Sequence, residues 1–171
     1  MSEATDPGRT IDRSPTRLGR WATTGAGVVA LASVGLYSWP ALAAGTLGLS
    51  LLLVGLVRGT GGLVDGGAFA LFVGAVLAGA EGAPVLPVLV GVAAAVLAWD
   101  FGGTAIGVGA QLGREADTVR LEAAHLGAST AVGVTVLGVG FGLYRVGTGG
   151  QPIAALLLLV IAAVLLVEAL S

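Results

Sequence analysis

The sequence predicts an all-α, polytopic integral membrane protein with six transmembrane helices and one cytoplasmic amphipathic helix. Three observations lead there. The 171 residues are 56% hydrophobic and only 11% charged, whereas a soluble domain carries about 25% charged residues. Their mean hydropathy is +0.97, so lipid is the natural solvent for most of the chain. The apolar residues also fall into runs of span length with no alternation of period two. Lipid offers backbone N–H and C=O groups no partner, so each run must satisfy its own as a helix.

Residues 1–20 are polar, hold two prolines and lack apolar periodicity. They read as a disordered cytoplasmic tail bearing Arg9, Arg13, Arg17 and Arg20. Span one covers about 21–38 and stops at Ser38-Trp39-Pro40. Span two, about 40–57, opens on Pro40, whose missing N–H costs nothing in a first turn, and stops at Arg58-Gly59. Span three runs over about 64–80 to Glu81-Gly82, and span four, about 84–99, opens on Pro84 and Pro87. Span five covers about 124–144, ending at Arg145, and span six, about 152–170, opens on Pro152. Runs of roughly 16–21 residues make helices of about 24–32 Å, near the hydrocarbon thickness.

Arginine placement sets the orientation. Six spans put Arg9, Arg13, Arg17, Arg20, Arg58, Arg114 and Arg120 on one side and Arg145 on the other. By the positive-inside rule both termini are cytoplasmic and the protein sits in the cell membrane. Ala41-Leu42-Ala43 after the first run imitates a signal-peptide cleavage site. The first run is of full span length, so the reading kept is an uncleaved span followed by a tight turn.

Thirty glycines are more than loops need. Gly66, Ala70, Gly74 and Ala78 recur every four residues in span three, the small-xxx-small pattern that lets helices approach closely. Gly91 and Ala95 continue it in span four and Gly138 and Gly142 in span five, so spans three to five are expected at the centre and span six, without glycine over 156–166, toward lipid. Trp21, Trp39 and Trp99 fall at span ends, where indole prefers the interface.

Composition also excludes functions. The chain has no cysteine and one histidine, which removes disulfides, thiolate nucleophiles and His- or Cys-rich metal sites. No metal or cofactor is expected. No basic patch is dense enough for nucleic acid. No span carries a charge at its centre, which weighs against a proton-coupled pump or ion carrier. Asp65 is the weak candidate for an intramembrane polar site, and a carboxylate at a helix start is the favoured explanation of it.

The charge gathers in WDFGGTAIGVGAQLGREADTVRLEAAHLGAS, residues 99–129, which holds Asp100, Arg114, Glu115, Asp117, Arg120, Glu122 and His125. Asp100-Phe101-Gly102-Gly103 is expected to break the helix. A new helix over about 106–123 then places Leu112, Ala116, Val119, Ala123 and Leu126 on one face, with Arg114, Asp117, Thr118 and His125 opposite. It reads as an interfacial helix, as a docking surface for a cytoplasmic partner, or more weakly as a catalytic site. His125 and Ser129 stand at i,i+4, but a helical Ser more often bonds its own backbone. The glycines of residues 102–109 lack the Lys and Ser/Thr of a phosphate loop.

The run Ala105, Ile106, Gly107, Gly109, Gln111, Leu112, Gly113, Arg114, Glu115, Ala116 resembles an AIGxGxQLGREA signature. That signature marks a family of uncharacterised multi-span membrane proteins from haloarchaea. Its specific part covers about thirty residues here, and Ala110 stands where other members tend to carry an acid. The resemblance implies no known activity. Because such genes are often found beside those for MoxR-type ATPases, it implies at most an accessory membrane component with that kind of partner.

The expected function is a non-enzymatic integral membrane component that scaffolds or recruits a cytoplasmic protein. The candidate docking residues are Asp100, Gln111, Arg114, Glu115, Asp117, Arg120, Glu122 and His125. The alternative is a small transporter or channel subunit working as a homo-oligomer. The bilayer itself is the other expected partner.

Overall fold

The computed structural model describes residues 14–112 and 119–147. These form five helices: α1 (Arg17–Val34), α2 (Trp39–Arg58), α3 (Gly61–Ala80), α4 (Val85–Leu112) and α5 (Val119–Gly147). There is no strand among the described residues. α2, α3, α4 and α5 are long and apolar enough to cross a membrane; α1, which carries Arg17, Arg20, Thr23 and Thr24, is not among them. Four such helices do not by themselves support a count of six. The predicted sixth span, 152–170, lies outside the described residues.

α1 to α4 pack as an up-and-down bundle, each helix antiparallel to the next. The turns explain themselves locally. Ser38 caps α2 by accepting the Ala41 N–H at 3.1 Å, and Pro40 occupies the first turn, where its missing donor is harmless. Gly59 closes α2 in the left-handed conformation, φ 66°, which favours glycine. Ala41 to Ala43, the signal-like triplet, lie in helix α2 with Ala41 buried.

Two predictions about the ends of the bundle need correction. α1 begins at Arg17, inside the stretch read as a tail, and Ser14–Thr16 lie along α4: the Thr16 N–H bonds the Ala105 carbonyl at 3.3 Å. More importantly, α4 does not break at Asp100-Phe101-Gly102-Gly103. It runs on to Leu112. Gly102 is used for packing: a Cβ there would lie 2.6 Å from Val64 Cγ1 and 3.2 Å from Thr23 Cγ2. Neighbouring helices cover the glycine, and its backbone groups stay bonded within the helix itself. The separate interfacial helix over 106–123 is therefore not observed. Residues 106–112 continue α4, and residues 119–123 open α5.

Helix length shows what this makes. α2 and α3, at 20 residues each, are about 30 Å long, the thickness of the hydrocarbon core. α4, at 28 residues, is about 42 Å long. It overhangs the start of α3 by roughly two turns.

The core is small and dry. Leu52, Leu56, Val64 and Leu71 pack with Ala30, Ala94, Ala95 and Ala98, and a second cluster joins Val34, Ala41, Ala75 and Ala78. α2 and α3 touch glycine to glycine at Gly48 and Gly67. The α3 packing face is Val64, Gly67, Leu71, Gly74 and Ala78, whereas Gly66 meets nothing. A strict four-residue repeat drifts about 40° per step around a 3.6-residue helix, so only the Gly74 and Ala78 part of the expected stripe stays in contact. Gly91 and Ala95 of α4 are both buried. α1 is a core helix: Thr23, Gly27, Ala30 and Val34 are buried. α5, expected at the centre with spans three and four, shows the reverse, with Val119, Leu121, Val132, Val134 and Val136 exposed.

Candidate functional site at the charged end of the bundle

Every feature of chemical interest in residues 14–137 lies toward one end of the bundle, where α4 ends and α1, α3 and α5 begin. That end carries Arg17, Arg20, Arg58 and Arg120, while Glu81 marks the other. Exposed Trp21 and Trp99 lie toward the arginine end, and exposed Trp39 starts α2 at the opposite end. Tryptophan at both ends and arginine at one is the distribution that membrane interfaces favour.

The site is built from α4 and α5. His125 Nε2 is 3.0 Å from Asp100 Oδ2 and 3.1 Å from Thr104 Oγ1. Asp100 and Thr104 sit one turn apart on α4, so both reach the same ring on α5. A carboxylate only accepts, so with Asp100 ionised the Nε2–H is directed at it, with Thr104 as the second acceptor. The pair is partly wet: the His125 and Asp100 side chains are 38% and 36% exposed.

This arrangement differs from a nucleophilic triad. In a triad the carboxylate holds one ring nitrogen while the nucleophile faces the other. Here both oxygens compete for Nε2, leaving no lone pair to take the Thr104 proton. Among the described residues the bonds of His125 go to Asp100 and Thr104, and none reaches Ser129.

Asp65 is bonded across helices. The Trp99 Nε1–H donates to Asp65 Oδ1 at 2.7 Å, tying α3 to α4. Asp65 lies four residues into α3, about 6 Å from its end. Trp99, and Asp100 beside it, share that level. Continuity of α4 thus places a carboxylate on a spanning helix, which the sequence reading did not foresee. It remains shallow, near one interface and away from the centre. Asp65 and Trp99 also head an open groove of about 390 Å³ between α3 and α4, lined by Ala68, Phe69, Phe72, Ala95 and Val96.

The remaining docking candidates separate. Gln111 is exposed in the last turn of α4, and Arg120 is exposed in the first turn of α5. Glu122 is buried, 3% exposed. Arg114, Glu115 and Asp117 lie outside the described residues. No group of three His, Asp or Glu side chains placed to hold a metal ion occurs among the described residues. Thr104 and Trp99 were missed as site residues. Thr104 was legible only on a helix uninterrupted at Gly102-Gly103, where it stands at i+4 from Asp100.

The signature residues have a structural role as well. A Cβ on Gly109 would clash with the Ser14 carbonyl, and one on Gly19 would lie 2.5 Å from Ala105 Cβ. Ala105 and Gly109 are thus where Ser14–Thr16 and α1 close on α4.

A helical bundle with four helices long and apolar enough to cross a membrane, and with a polar cluster near one interface, defines a multi-helix membrane protein. The model of a family of unknown function, DUF7519, matches residues 13–167, and the chain belongs to that family. No curated protein matches it. No solved structure matches it either.

Proposed function

We propose that this protein is a non-enzymatic membrane scaffold. It recruits a cytoplasmic protein through the end of α4, the start of α5 and the residues between them. The observation that carries the reading is the contrast between the two parts of the molecule. The centre of α1–α4 is filled by Val34, Leu52, Leu56, Val64, Leu71 and alanines. Thr23, the polar side chain among them, returns its hydroxyl to the Gly19 carbonyl at 2.7 Å. Such a centre offers a solute no polar path, which disfavours a channel or transporter working through one bundle. The overhanging end instead exposes Gln111 and Arg120, with Arg17 and Arg58 at the same end of the bundle. The joining sequence adds Arg114, Glu115 and Asp117, and mixed charge gives a protein surface its specificity and on-rate more than its affinity.

In this reading α1 crosses the membrane with the bundle despite its polar start, carried by its packing against α4. The run 152–170 makes the sixth crossing. Both termini and the overhang are cytoplasmic, as the arginines favour, and the membrane is the cell membrane. The AIGxGxQLGREA run supports a haloarchaeal source and a MoxR-type ATPase as the partner.

The test is affinity purification of the full chain from its native host after cross-linking. A soluble protein should copurify from wild type and be released by reversing charge at Arg114, Glu115 and Arg120. Absence of any cross-linked soluble protein, or equal recovery with the reversed variant, overturns the reading.

A further inference from the structure

The groove between α3 and α4 combines features that the scaffold reading does not use. It is open to the side, holds about 390 Å³ and is otherwise apolar and aromatic. Its one charged group is Asp65, held in place by the Trp99 indole at 2.7 Å. That bond fixes the carboxylate at the head of the groove, with Phe69 and Phe72 following it toward the middle of the bundle. A carboxylate beside an indole is the environment that stabilises an ammonium group, through charge and through the ring face. The volume lies at the low end of the roughly 300–1,000 Å³ range of small-molecule sites, which suits one chain better than two. We propose that this groove binds a single-chain amphiphile with an ammonium head, entering sideways from the bilayer. The head lies against Asp65 and Trp99, and the tail runs along Phe69, Phe72 and Val96.

The proposal stands independently of partner recruitment. It is tested on the full chain in phosphatidylglycerol nanodiscs, with the exposed Trp21 and Trp39 replaced by Phe so that Trp99 is the single tryptophan, excited selectively over Tyr37 and Tyr144. The probe is a long-chain alkyl trimethylammonium brominated on the third chain carbon, so that the bromine that quenches indole lies beside the head, compared with the alcohol of the same chain and bromine position. The ammonium should quench Trp99 saturably. D65N, which keeps an acceptor for the indole while removing the charge, should raise half-saturation about tenfold. V96F, at an exposed position of the groove, should weaken binding while leaving Asp65 intact. Equal curves for the parent, D65N and V96F, or equal quenching by the alcohol, would overturn the proposal. Quenching lost only on dilution below one protein per disc would also overturn it, by assigning the groove to a second copy of the chain.

Discussion

Gly66 and Gly67 are neighbours in sequence and should respond to alanine with opposite signs. A Cβ on Gly67 would lie 2.6 Å from Leu52 N, 2.7 Å from the Gly48 carbonyl oxygen and 2.9 Å from Leu52 Cα. All three obstacles are backbone, so no rotamer change relieves them. Ordinary carbon contacts begin at about 3.5 Å, so α2 and α3 must part by close to 1 Å along their tightest crossing. Overpacking of this kind costs about 1–3 kcal/mol, and the backbone obstacle places G67A at the upper end. Gly66 meets nothing within 4 Å. Alanine there replaces the least favourable ordinary helix residue, a gain of about 1 kcal/mol. The measurement is reversible unfolding in mixed micelles with increasing sodium dodecyl sulfate, followed by far-ultraviolet circular dichroism. G67A should unfold well before wild type and G66A slightly after it. If both variants shift the midpoint in the same direction, α3 is rotated from the face described here.

Three further outcomes follow from the same geometry. The Asp100–His125 pair is more than a third exposed, so solvent screens it; a D100A/H125A double-mutant cycle should give a coupling of only about 0.5–1 kcal/mol, read as faster amide exchange over residues 119–137. S38A removes the acceptor for the Ala41 N–H and should cost about 1 kcal/mol, measured by the same detergent titration. G59A forces a side chain into a φ of 66° and should cost about 1 kcal/mol, whereas G61A, in open space, should be neutral or stabilising.

The helical class and the approximate limits of α2, α3 and the start of α4 were legible because each depends on local rules. Pro40, Gly59, Gly82 and Pro84 end or begin helices whatever the tertiary packing. The course of the chain at Gly102-Gly103 was not legible. A glycine pair after an aspartate reads as a breaker until Val64 and Thr23 are seen filling the space above it. Everything downstream of that junction moved with it: the separate interfacial helix became the ends of α4 and α5, and Asp100 became a partner of His125 in place of a loop residue. The role of α1 was hidden for a related reason. The run 21–38 reads as a span, but nothing in its apolar content shows that Gly19, Gly27 and Thr23 let it pack into the core. Small residues carry close approach, and hydropathy gives them little weight.

The central claim is that the overhanging end of α4 and the start of α5 form a protein-docking surface above an apolar bundle. The most direct measurement places a photoreactive amino acid at Gln111 or Arg120, and for comparison at Leu47 or Phe69, both exposed on apolar helices of span length, and irradiates the intact native host. The account predicts a discrete soluble protein attached at Gln111 and Arg120, abolished by E115R, with no such adduct at Leu47 or Phe69. Adducts of equal pattern at all four positions, or none at Gln111 and Arg120, would contradict it.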